Sequence, residues 1–254
     1  MTVEENLEQA LALLEEAPEG TDAACYPEAF SVASIEREKT RPPVENVALT
    51  PMFLEKLGEV AARRRLYVLA NLPDDKRNTT FIIDRNGEVI DRYYKVHLTE
   101  GEVERGTIPG DEFPVFELDF GRVGVMTCYD LYFPEHCRIL ALEGAEIIFF
   151  PHRITGPSED AWDALVKARA IENTVHVVTS SFAPPPPYQP GQYLGRSCIV
   201  DVNGLVLADA SHEPGVAACT IDLDAAKDKR VRCFRPDVFL KTRRPAAYGR
   251  LCKP

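Results

Sequence analysis

Three side chains of this chain could together carry out a nucleophilic attack, and the first of them is Cys128. It follows the apolar run Arg122–Met126, which predicts a buried strand, and it precedes Phe133-Pro134-Glu135, where Pro134 suits the first turn of a helix. Such a strand-to-helix elbow exposes the cysteine beside backbone N–H groups, and the helix N-terminus favours its thiolate. Taken alone, the pattern is equally typical of an inert, buried cysteine.

Glu28 and Lys95 also come directly after predicted strands. Glu28 follows the short segment Thr21–Tyr26, and Lys95 follows a strand that ends in Tyr93-Tyr94. Ligand sites of α/β proteins gather at the carboxyl ends of strands, so both positions favour a site. Each has an ordinary alternative, because Glu28 could be a solvated loop acid. Lys95 could be a surface lysine with its charge in water, or a half-buried amine with a lowered pKa.

A glutamate, a lysine and a cysteine are the groups that thiol attack on an unactivated carbon–nitrogen bond requires. The sulfur adds to the carbonyl or nitrile carbon, and the glutamate carries the thiol proton to the leaving amine. The ammonium and the N–H after the cysteine stabilise the oxyanion. This scheme needs no histidine, no metal ion and no cofactor, and the seven cysteines show no metal-binding spacing.

The elements that must position these residues indicate one α/β domain over residues 1–254. Strand and helix patterns alternate without a linker, and the 45% hydrophobic content is enough for a sizeable core. From about residue 224 the chain is basic and less regular. We expect this C-terminal arm to pack on another subunit.

Composition excludes several classes of partner. The net charge of −11 argues against a nucleic-acid partner, which requires a basic patch. An apolar run of about 18 residues is absent, so the sequence predicts no membrane-spanning helix. The acidic N-terminus does not resemble a signal peptide, and the odd cysteine count favours a reduced, cytoplasmic protein.

Local patterns predict the remaining elements near these residues. Hairpin turns are expected at Arg85–Gly87 and Val202–Gly204, which pair asparagine with glycine between strands. Loops are expected at Pro73–Lys76 and in the acidic, glycine-containing stretch 99–108. The apolar segment Val216–Ile221 predicts a further strand.

Four segments, in this order, resemble the nitrilase (carbon–nitrogen hydrolase) superfamily. They are Tyr26-Pro27-Glu28-Ala29-Phe30, Tyr93-Tyr94-Lys95-Val96-His97-Leu98, Gly124-Val125-Met126-Thr127-Cys128-Tyr129-Asp130 and Ala168-Arg169-Ala170-Ile171-Glu172-Asn173. The resemblance implies a four-layer α-β-β-α sandwich whose helices pair across a dimer. It also implies that Glu28, Lys95 and Cys128 form a catalytic triad.

The resemblance implies roles for other residues as well. Many members use a second glutamate shortly after the lysine, and Glu102 keeps the expected spacing better than Glu104, which remains a candidate for binding substrate. The backbone N–H of Tyr129 would serve the oxyanion, and Tyr129 in place of tryptophan favours an amide or carbamoyl substrate over a nitrile. Tyr132 stands where the omega-amidase-like branch often has arginine, which disfavours a dicarboxylic monoamide. Asp130 is expected to cap the following helix.

The chain departs from the family pattern at its first element. Members begin with a strand that precedes the first helix, whereas this sequence begins at that helix. Either the true start lies upstream, or one sheet lacks its first family strand. In the second case we expect lower stability or a rearranged N-terminus.

These observations predict an amidase that releases ammonia or an amine from a small amide. An N-carbamoyl amino acid or amine hydrolase would use the same triad on a ureido substrate. An acyltransferase, in which an amine intercepts the thioester, and a binding protein that keeps only the fold are further alternatives. We expect a homodimer or a higher homo-oligomer.

Overall fold

The computed structural model describes residues 3–31, 47–155, 158–184, 193–224 and 242–252. The α-helices in these ranges are α1 (Val3–Glu16), α2 (Thr50–Arg64), α3 (Glu100–Glu104), α4 (Pro134–Leu142) and α5 (Glu159–Asn173). The strands are β1 (Ala23–Cys25), β2 (Tyr67–Asp74), β3 (Arg77–Ile83), β4 (Val89–Tyr94), β5 (Val115–Leu118), β6 (Gly121–Val125), β7 (Ile147–Pro151), β8 (His176–Ser180), β9 (Cys198–Val200) and β10 (Val206–Asp209). Short 3-10 turns span Cys128–Tyr132, Pro245–Ala247 and Gly249–Cys252.

The strands form two sheets. The first has the order β1-β2-β3-β4, in which β1 and β2 run parallel and the other pairs are antiparallel. The second has the order β10-β9-β8-β7-β6-β5, with a parallel centre of β6, β7 and β8. Because parallel strands end at the same edge of a sheet, the residues that follow β6, β7 and β8 lie side by side.

Side chains on successive residues of a strand point to opposite faces, and this alternation builds three cores. In β2, Leu69 packs between the two sheets, whereas its neighbours Val68 and Ala70 pack under α1 and α2. On the far side, Trp162 of α5 packs with α4 against the outer face of the second sheet. Three cores between four layers confirm the predicted α-β-β-α sandwich.

Two predicted loops are ordered elements in the structure. β2 continues through Pro73 to Asp74 and turns directly into β3, because β1 has ended and Pro73 needs no N–H on that open side. Residues 100–104 form α3, because the side chains of Thr99 and Glu102 cap each other's backbone N–H groups in a capping box. The predicted loops were therefore wrong at Pro73–Asp74 and at Glu100–Glu104, whereas Asp75–Lys76 form a turn and residues 105–110 have no helix or strand.

The open edge of β1 borders a groove. Among the described residues the first sheet has four strands and the second has six, as expected of a sheet that lacks a strand. A cavity of about 2070 Å³ lies beside β1 and reaches inward-facing residues of the second sheet such as Phe149 and Val178. The predicted strand Val216–Ile221 lines the same cavity but is irregular, because none of the described strands pairs with it.

Other predictions fall partly outside the described residues. The C-terminal arm expected from about residue 224 is described only at 242–252, where two 3-10 turns occur. A search of the described helices for one that is long and apolar enough to cross a membrane finds none.

Candidate active site

Lys95 is held at the end of β4 by backbone hydrogen bonds on both sides. Its N–H donates to the carbonyl of Asn78 at 3.0 Å, and its own carbonyl accepts from the N–H of Gly110 at 2.8 Å. The side chain is 1% exposed, so Lys95 is a buried amine and the surface-lysine alternative is wrong. A buried ammonium is stable only beside negative charge, so acidic groups must lie next to Lys95.

Two buried glutamates contact the Lys95 ammonium. Nζ lies 2.9 Å from Oε1 of Glu28, and 3.0 and 2.9 Å from the two carboxylate oxygens of Glu102. Both carboxyl groups come from elements far apart in sequence, the loop after β1 and the short helix α3. The alternative of a solvated loop acid is therefore wrong for Glu28, which is 5% exposed.

Asn78 joins the two carboxylates, and sequence analysis missed it. Its Nδ2 donates to Oε1 of Glu28 at 2.8 Å and to Oε1 of Glu102 at 3.0 Å. Asn71 donates in turn to Oδ1 of Asn78 at 2.9 Å, which fixes the orientation of the amide. Asn71 also accepts the N–H of Ala29, the residue after Glu28, at 2.8 Å. The only sequence signal was one asparagine in each strand of the β2–β3 hairpin, where Asn71 pairs with Thr80 and Asn78 with Pro73.

Of the two candidate second glutamates, the structure brings Glu102 to the lysine. The capping box of α3 turns the Glu102 side chain back towards Thr99, whose N–H donates to Oε2 at 2.9 Å, and this places the carboxylate against Nζ of Lys95. Glu104 is exposed on the last turn of the same helix. Residues two apart on a helix face different directions, so Glu104 does not share the position of Glu102, and its role in binding substrate stays a prediction.

Cys128 occupies a tight turn between β6 and α4. Its φ of 49° is in the left-handed region, which is uncommon for a residue with a side chain and typical of functional sites. The hydroxyl of Thr127, the residue before it, lies 3.5 Å from that of Thr80 in β3, which brings the turn against the first sheet. The helix begins at Pro134, which lies in its first turn as predicted, and a 3-10 turn over Cys128–Tyr132 precedes it.

Burial and neighbouring charges have opposite effects on the pKa values of Glu28 and Lys95. Burial alone would raise the pKa of Glu28, but the charges of Lys95 and Arg153 hold it below its ordinary value. Burial alone would lower the pKa of Lys95, but Glu28 and Glu102 raise it above its ordinary value. The sequence expectation of a lowered lysine pKa was wrong, and both groups are charged at neutral pH.

The pKa of Cys128 also differs from the expectation of a lowered value at a helix N-terminus. Burial and the neighbouring charge of Glu28 raise the pKa of Cys128 above its ordinary value, and these effects outweigh Lys95 and the Arg153 N–H. The thiolate expected from a helix N-terminus is therefore not the resting form. The raised pKa of Cys128 beside the lowered pKa of Glu28 favours a neutral thiol next to an ionised carboxylate.

Asp130 ties the turn that carries the cysteine to the strand that carries the lysine. Its buried carboxylate accepts from Tyr93 Oη at 2.7 Å, from the backbone N–H of His97 at 3.0 Å and from the backbone N–H of Thr127 at 2.8 Å. The side chains of His136 and His97, together with the Tyr93 hydroxyl, hold the pKa of Asp130 well below its ordinary value despite burial. Asp130 thus closes a capping box on the turn that contains Cys128, rather than capping α4 as predicted.

One cluster of the described residues has the composition of a metal site. His97, Asp130 and His136 each offer one ligand atom within 4.8 Å of the others. However, His97 Nδ1 lies 2.8 Å from the carboxylate, and Nε2 of His136 lies 3.0 Å from the carbonyl of Val125. These contacts indicate a hydrogen-bonded support for the turn. That the chemistry needs no metal or cofactor stays a prediction.

Two tyrosines from the turn face the outside near the sulfur. Tyr129 and Tyr132 are 37% and 39% exposed, with ring centroids 5.5 Å apart. Burial and the charge of Cys128 raise the pKa of Tyr132, which places its hydroxyl near the sulfur. The large cavity beside β1 is a separate feature, since none of Glu28, Lys95 and Cys128 lines it.

Comparison with known proteins agrees with this geometry. The family model described as "Carbon-nitrogen hydrolase" matches residues 1–230. The chain belongs to the carbon–nitrogen hydrolase family. This carbon–nitrogen hydrolase is 32% identical over 249 residues to the deaminated glutathione amidase of Synechocystis sp. (strain PCC 6803 / GT-S), and the match covers 89% of each chain.

Another relative and a solved structure extend the comparison. The carbon–nitrogen hydrolase is 31% identical over 239 residues to omega-amidase NIT2 of Xenopus tropicalis, covering 87% of this chain and 84% of that protein. The crystal structure of a carbon–nitrogen hydrolase from Helicobacter pylori G27 matches it with a TM-score of 0.87 at 24% identity, covering 100% of this chain and 94% of that one. The predicted family and fold are confirmed, and the enzyme is of the amidase type rather than a true nitrilase.

Proposed function

We propose that this enzyme hydrolyses a small amide through a thioester on Cys128, with Glu28, Lys95 and Glu102 as the other catalytic residues. The observation that carries the proposal is the buried contact of Glu28 with Lys95 at 2.9 Å, next to a turn that Asp130 ties to the strand of the lysine. Base and cation are thus paired beside the turn that carries the candidate nucleophile.

In the first half of the reaction the sulfur attacks the amide carbon. The thiol proton passes to Glu28 as the carbon–sulfur bond forms, and the carbonyl oxygen becomes an oxyanion. The Lys95 ammonium and the backbone N–H of Tyr129 stabilise that charge. Glu28 then returns the proton to the nitrogen, the carbon–nitrogen bond breaks, and ammonia or an amine leaves a thioester on Cys128.

In the second half, water replaces the amine. Glu28 takes a proton from the water as its oxygen attacks the thioester carbon, and the carbon–sulfur bond breaks to give the free acid. The proton returns to the sulfur, which restores the neutral thiol of the resting site. Glu102 keeps Lys95 in place throughout, because its two oxygens hold Nζ at 2.9 and 3.0 Å.

An amide is the favoured substrate over a ureido compound. Both relatives described above carry amidase in their names, and the carbonyl chemistry of the site fits an amide without a further group. A carbamoyl substrate would release carbon dioxide together with ammonia, which distinguishes the two. The homo-oligomeric state stays a prediction.

A screen for ammonia release tests the proposal. Wild-type enzyme is incubated with butyramide, succinamate, N-carbamoyl-β-alanine and butyronitrile, with carbon dioxide measured in parallel. We expect ammonia from at least one of the two amides and no carbon dioxide. Hydroxylamine added during turnover should yield the hydroxamate, because it intercepts the thioester.

Two cysteine variants make the result specific to the sulfur. Cys128→Ala should lose turnover, since the reaction requires the thiol. Cys219→Ala, which changes an exposed cysteine far from the site, should keep it. Turnover by Cys128→Ala near the wild-type rate would reject the thioester mechanism.

A further inference from the structure

Asn71 is a buried amide that hydrogen-bonds to neighbours of the candidate catalytic residues. It lies in β2, is 1% exposed and faces inward on the same side as Leu69, which packs between the two sheets. A buried polar group left unpaired costs about 1–3 kcal/mol, so its hydrogen bonds are a strong constraint on the groups around it. The partners of the Asn71 amide therefore indicate what this side chain does in the site.

The oxygen of this amide holds the loop that carries Glu28. Oδ1 of Asn71 accepts the backbone N–H of Ala29 at 2.8 Å, and Ala29 directly follows the glutamate. The φ of Ala29 is 49°, in the left-handed region that a residue with a side chain adopts at a cost of about 1–3 kcal/mol. Such a conformation persists only where the surrounding structure holds it, and the hydrogen bond to Asn71 supplies one such restraint.

The nitrogen of the same amide reaches two side chains of β3. Nδ2 donates at 2.9 Å to Oδ1 of Asn78, which in turn donates to the carboxylates of Glu28 and Glu102. Nδ2 also donates to Oγ1 of Thr80 at 2.9 Å. These contacts are possible because Thr80 lies opposite Asn71 in the β2–β3 pairing, and Asn78 lies two residues earlier on the same face of β3.

Thr80 connects this network to the turn that carries the candidate nucleophile. Its hydroxyl lies 3.5 Å from that of Thr127, and both threonines are fully buried. Thr127 directly precedes Cys128, whose φ of 49° is also left-handed. One amide thus links two unusual backbone positions, one beside the candidate base and one at the candidate nucleophile.

We infer that Asn71 is a positioning residue that fixes the placement of Glu28 relative to Cys128. This inference rests on the proposed function, in which Glu28 takes the proton of the Cys128 thiol. Reacting groups must be held about 3–3.5 Å apart, and a displacement of about 1 Å caused by a change away from the chemistry can cost roughly 100-fold in rate. Because Asn71 acts through its neighbours, its loss should lower kcat and leave KM nearly unchanged.

Asn71→Leu tests the inference, because leucine has a similar shape and lacks the amide. With butyramide as substrate we expect kcat to fall roughly 10- to 100-fold, while KM stays within about threefold of wild type. Asn173→Leu is the matched control, since Asn173 is also buried and its Nδ2 donates to the carbonyl of Arg169 at 3.0 Å within α5. The control should lower Tm without lowering kcat. A folded Asn71→Leu enzyme with kcat within about threefold of wild type would overturn the inference.

Two threonine variants keep the test decisive if Asn71→Leu does not fold. Thr80→Val removes the hydroxyl that accepts from Asn71, and it should lower kcat roughly three- to tenfold, the effect of one hydrogen bond. Thr79→Val makes the same change on the opposite face of β3, where the buried hydroxyl has no hydrogen-bond partner among the described residues. This second variant should keep the wild-type kcat. Equal kcat values for the two variants would overturn the inference.

A crystal structure of Asn71→Leu separates this inference from the proposed function. We expect the Glu28 carboxylate to move roughly 0.5 Å or more from its 2.9 Å contact with Lys95, which exceeds the tolerance of a catalytic arrangement, whereas Asn173→Leu should keep that contact. If wild type hydrolyses neither butyramide nor succinamate, the proposed function is refuted, while the structure still decides whether Asn71 places Glu28. Unchanged contacts of Glu28 with Lys95 and Asn78 would overturn the inference.

Discussion

Replacing Lys95 by methionine exposes how the buried charges are balanced. Methionine has a similar length and no charge, so the variant removes the ammonium and leaves most of the packing. Glu28 and Glu102 then remain buried, joined by Asn78 at 2.8 and 3.0 Å, without the cation that both contact. Removing one partner of a buried ion pair costs about 3–5 kcal/mol, because the remaining charge is uncompensated.

That cost is large enough to measure by thermal unfolding. For a chain of this size about 1 kcal/mol corresponds to roughly 2–4 °C in Tm, so Lys95→Met should melt roughly 6–20 °C below wild type at pH 7. Lys56→Met is the matched control, because Lys56 pairs with Glu59 at 2.7 Å on the surface. Exposed pairs contribute little, so the control should melt close to wild type.

The pH dependence of stability is a sharper test, because wild type and Lys95→Met should respond differently to acidification from pH 7 to 5. In wild type the pKa of Glu28 is below its ordinary value of 4.5, so its contribution to stability is present above that pH and is lost only as pH falls through the lower folded value. Wild type should therefore change little between pH 7 and 5 through this group.

In Lys95→Met the two carboxylates repel each other and burial disfavours both charges, so the pair binds a proton above the ordinary pKa. The folded state then holds more protons than the unfolded chain, and stability rises as pH falls from 7 to 5. Each unit by which the pKa is raised corresponds to about 1.36 kcal/mol.

The double variant Lys95→Met with Glu102→Gln completes the test. It removes one of the two like charges, so we expect it to recover roughly 1–3 kcal/mol relative to Lys95→Met and to show a weaker rise towards pH 5. A Lys95→Met protein that melts within about 2 °C of wild type, or whose Tm does not rise on acidification, would refute the charge balance described here.

Three further predictions concern the proton, the asparagine and the fold. Hydrolysis should be slower in D2O than in H2O on the plateau of kcat/KM, because the thiol proton moves during attack; an effect at or below unity would indicate a resting thiolate. Asn78→Asp should lower kcat/KM by roughly tenfold or more, since it replaces a shared hydrogen-bond donor with a third carboxylate. Steady-state kinetics would measure the loss, provided that the variant keeps the secondary structure of wild type. Gly87→Ala should lower the free energy of unfolding in urea by roughly 1–3 kcal/mol, because its φ is +86° and a Cβ would meet the carbonyl of Gly58. Gly20→Ala, with a φ of +78° and open space around it, should cost less, and a larger cost there would contradict the contact argument.

The parts of the site that were predictable depend on local patterns. Glu28, Lys95 and Cys128 each follow a strand, and strand ends can be read from a few neighbouring residues. The capping box at Thr99-Glu100-Gly101-Glu102 was also readable, but the acidic, glycine-containing context favoured a loop. The ion pair of Arg169 with Glu172, at 2.8 Å, likewise depends on local spacing, because residues three apart on a helix are neighbours.

The parts that were not predictable depend on contacts between distant segments. Asn78 becomes a bridge only because β3 lies between β2 and β4 in a particular register. The segment Val216–Ile221 has the composition of a strand, but a strand also needs a neighbour to pair with, and none of the described strands supplies one. Arg153 follows an ordinary buried strand, and only the parallel order of β6 and β7 places it at the same sheet edge as Cys128.

The position of the resting proton follows from the same distant contacts. A thiol is intrinsically a weaker acid than a carboxyl group, and the site widens that difference, since the pKa of Cys128 is raised while that of Glu28 is lowered. In the proposed mechanism a thiolate is costly until carbon–sulfur bond formation spreads its charge onto the carbonyl oxygen, which the Lys95 ammonium would stabilise. The same ammonium lowers the pKa of Glu28 before attack, so we expect proton transfer to accompany bond formation.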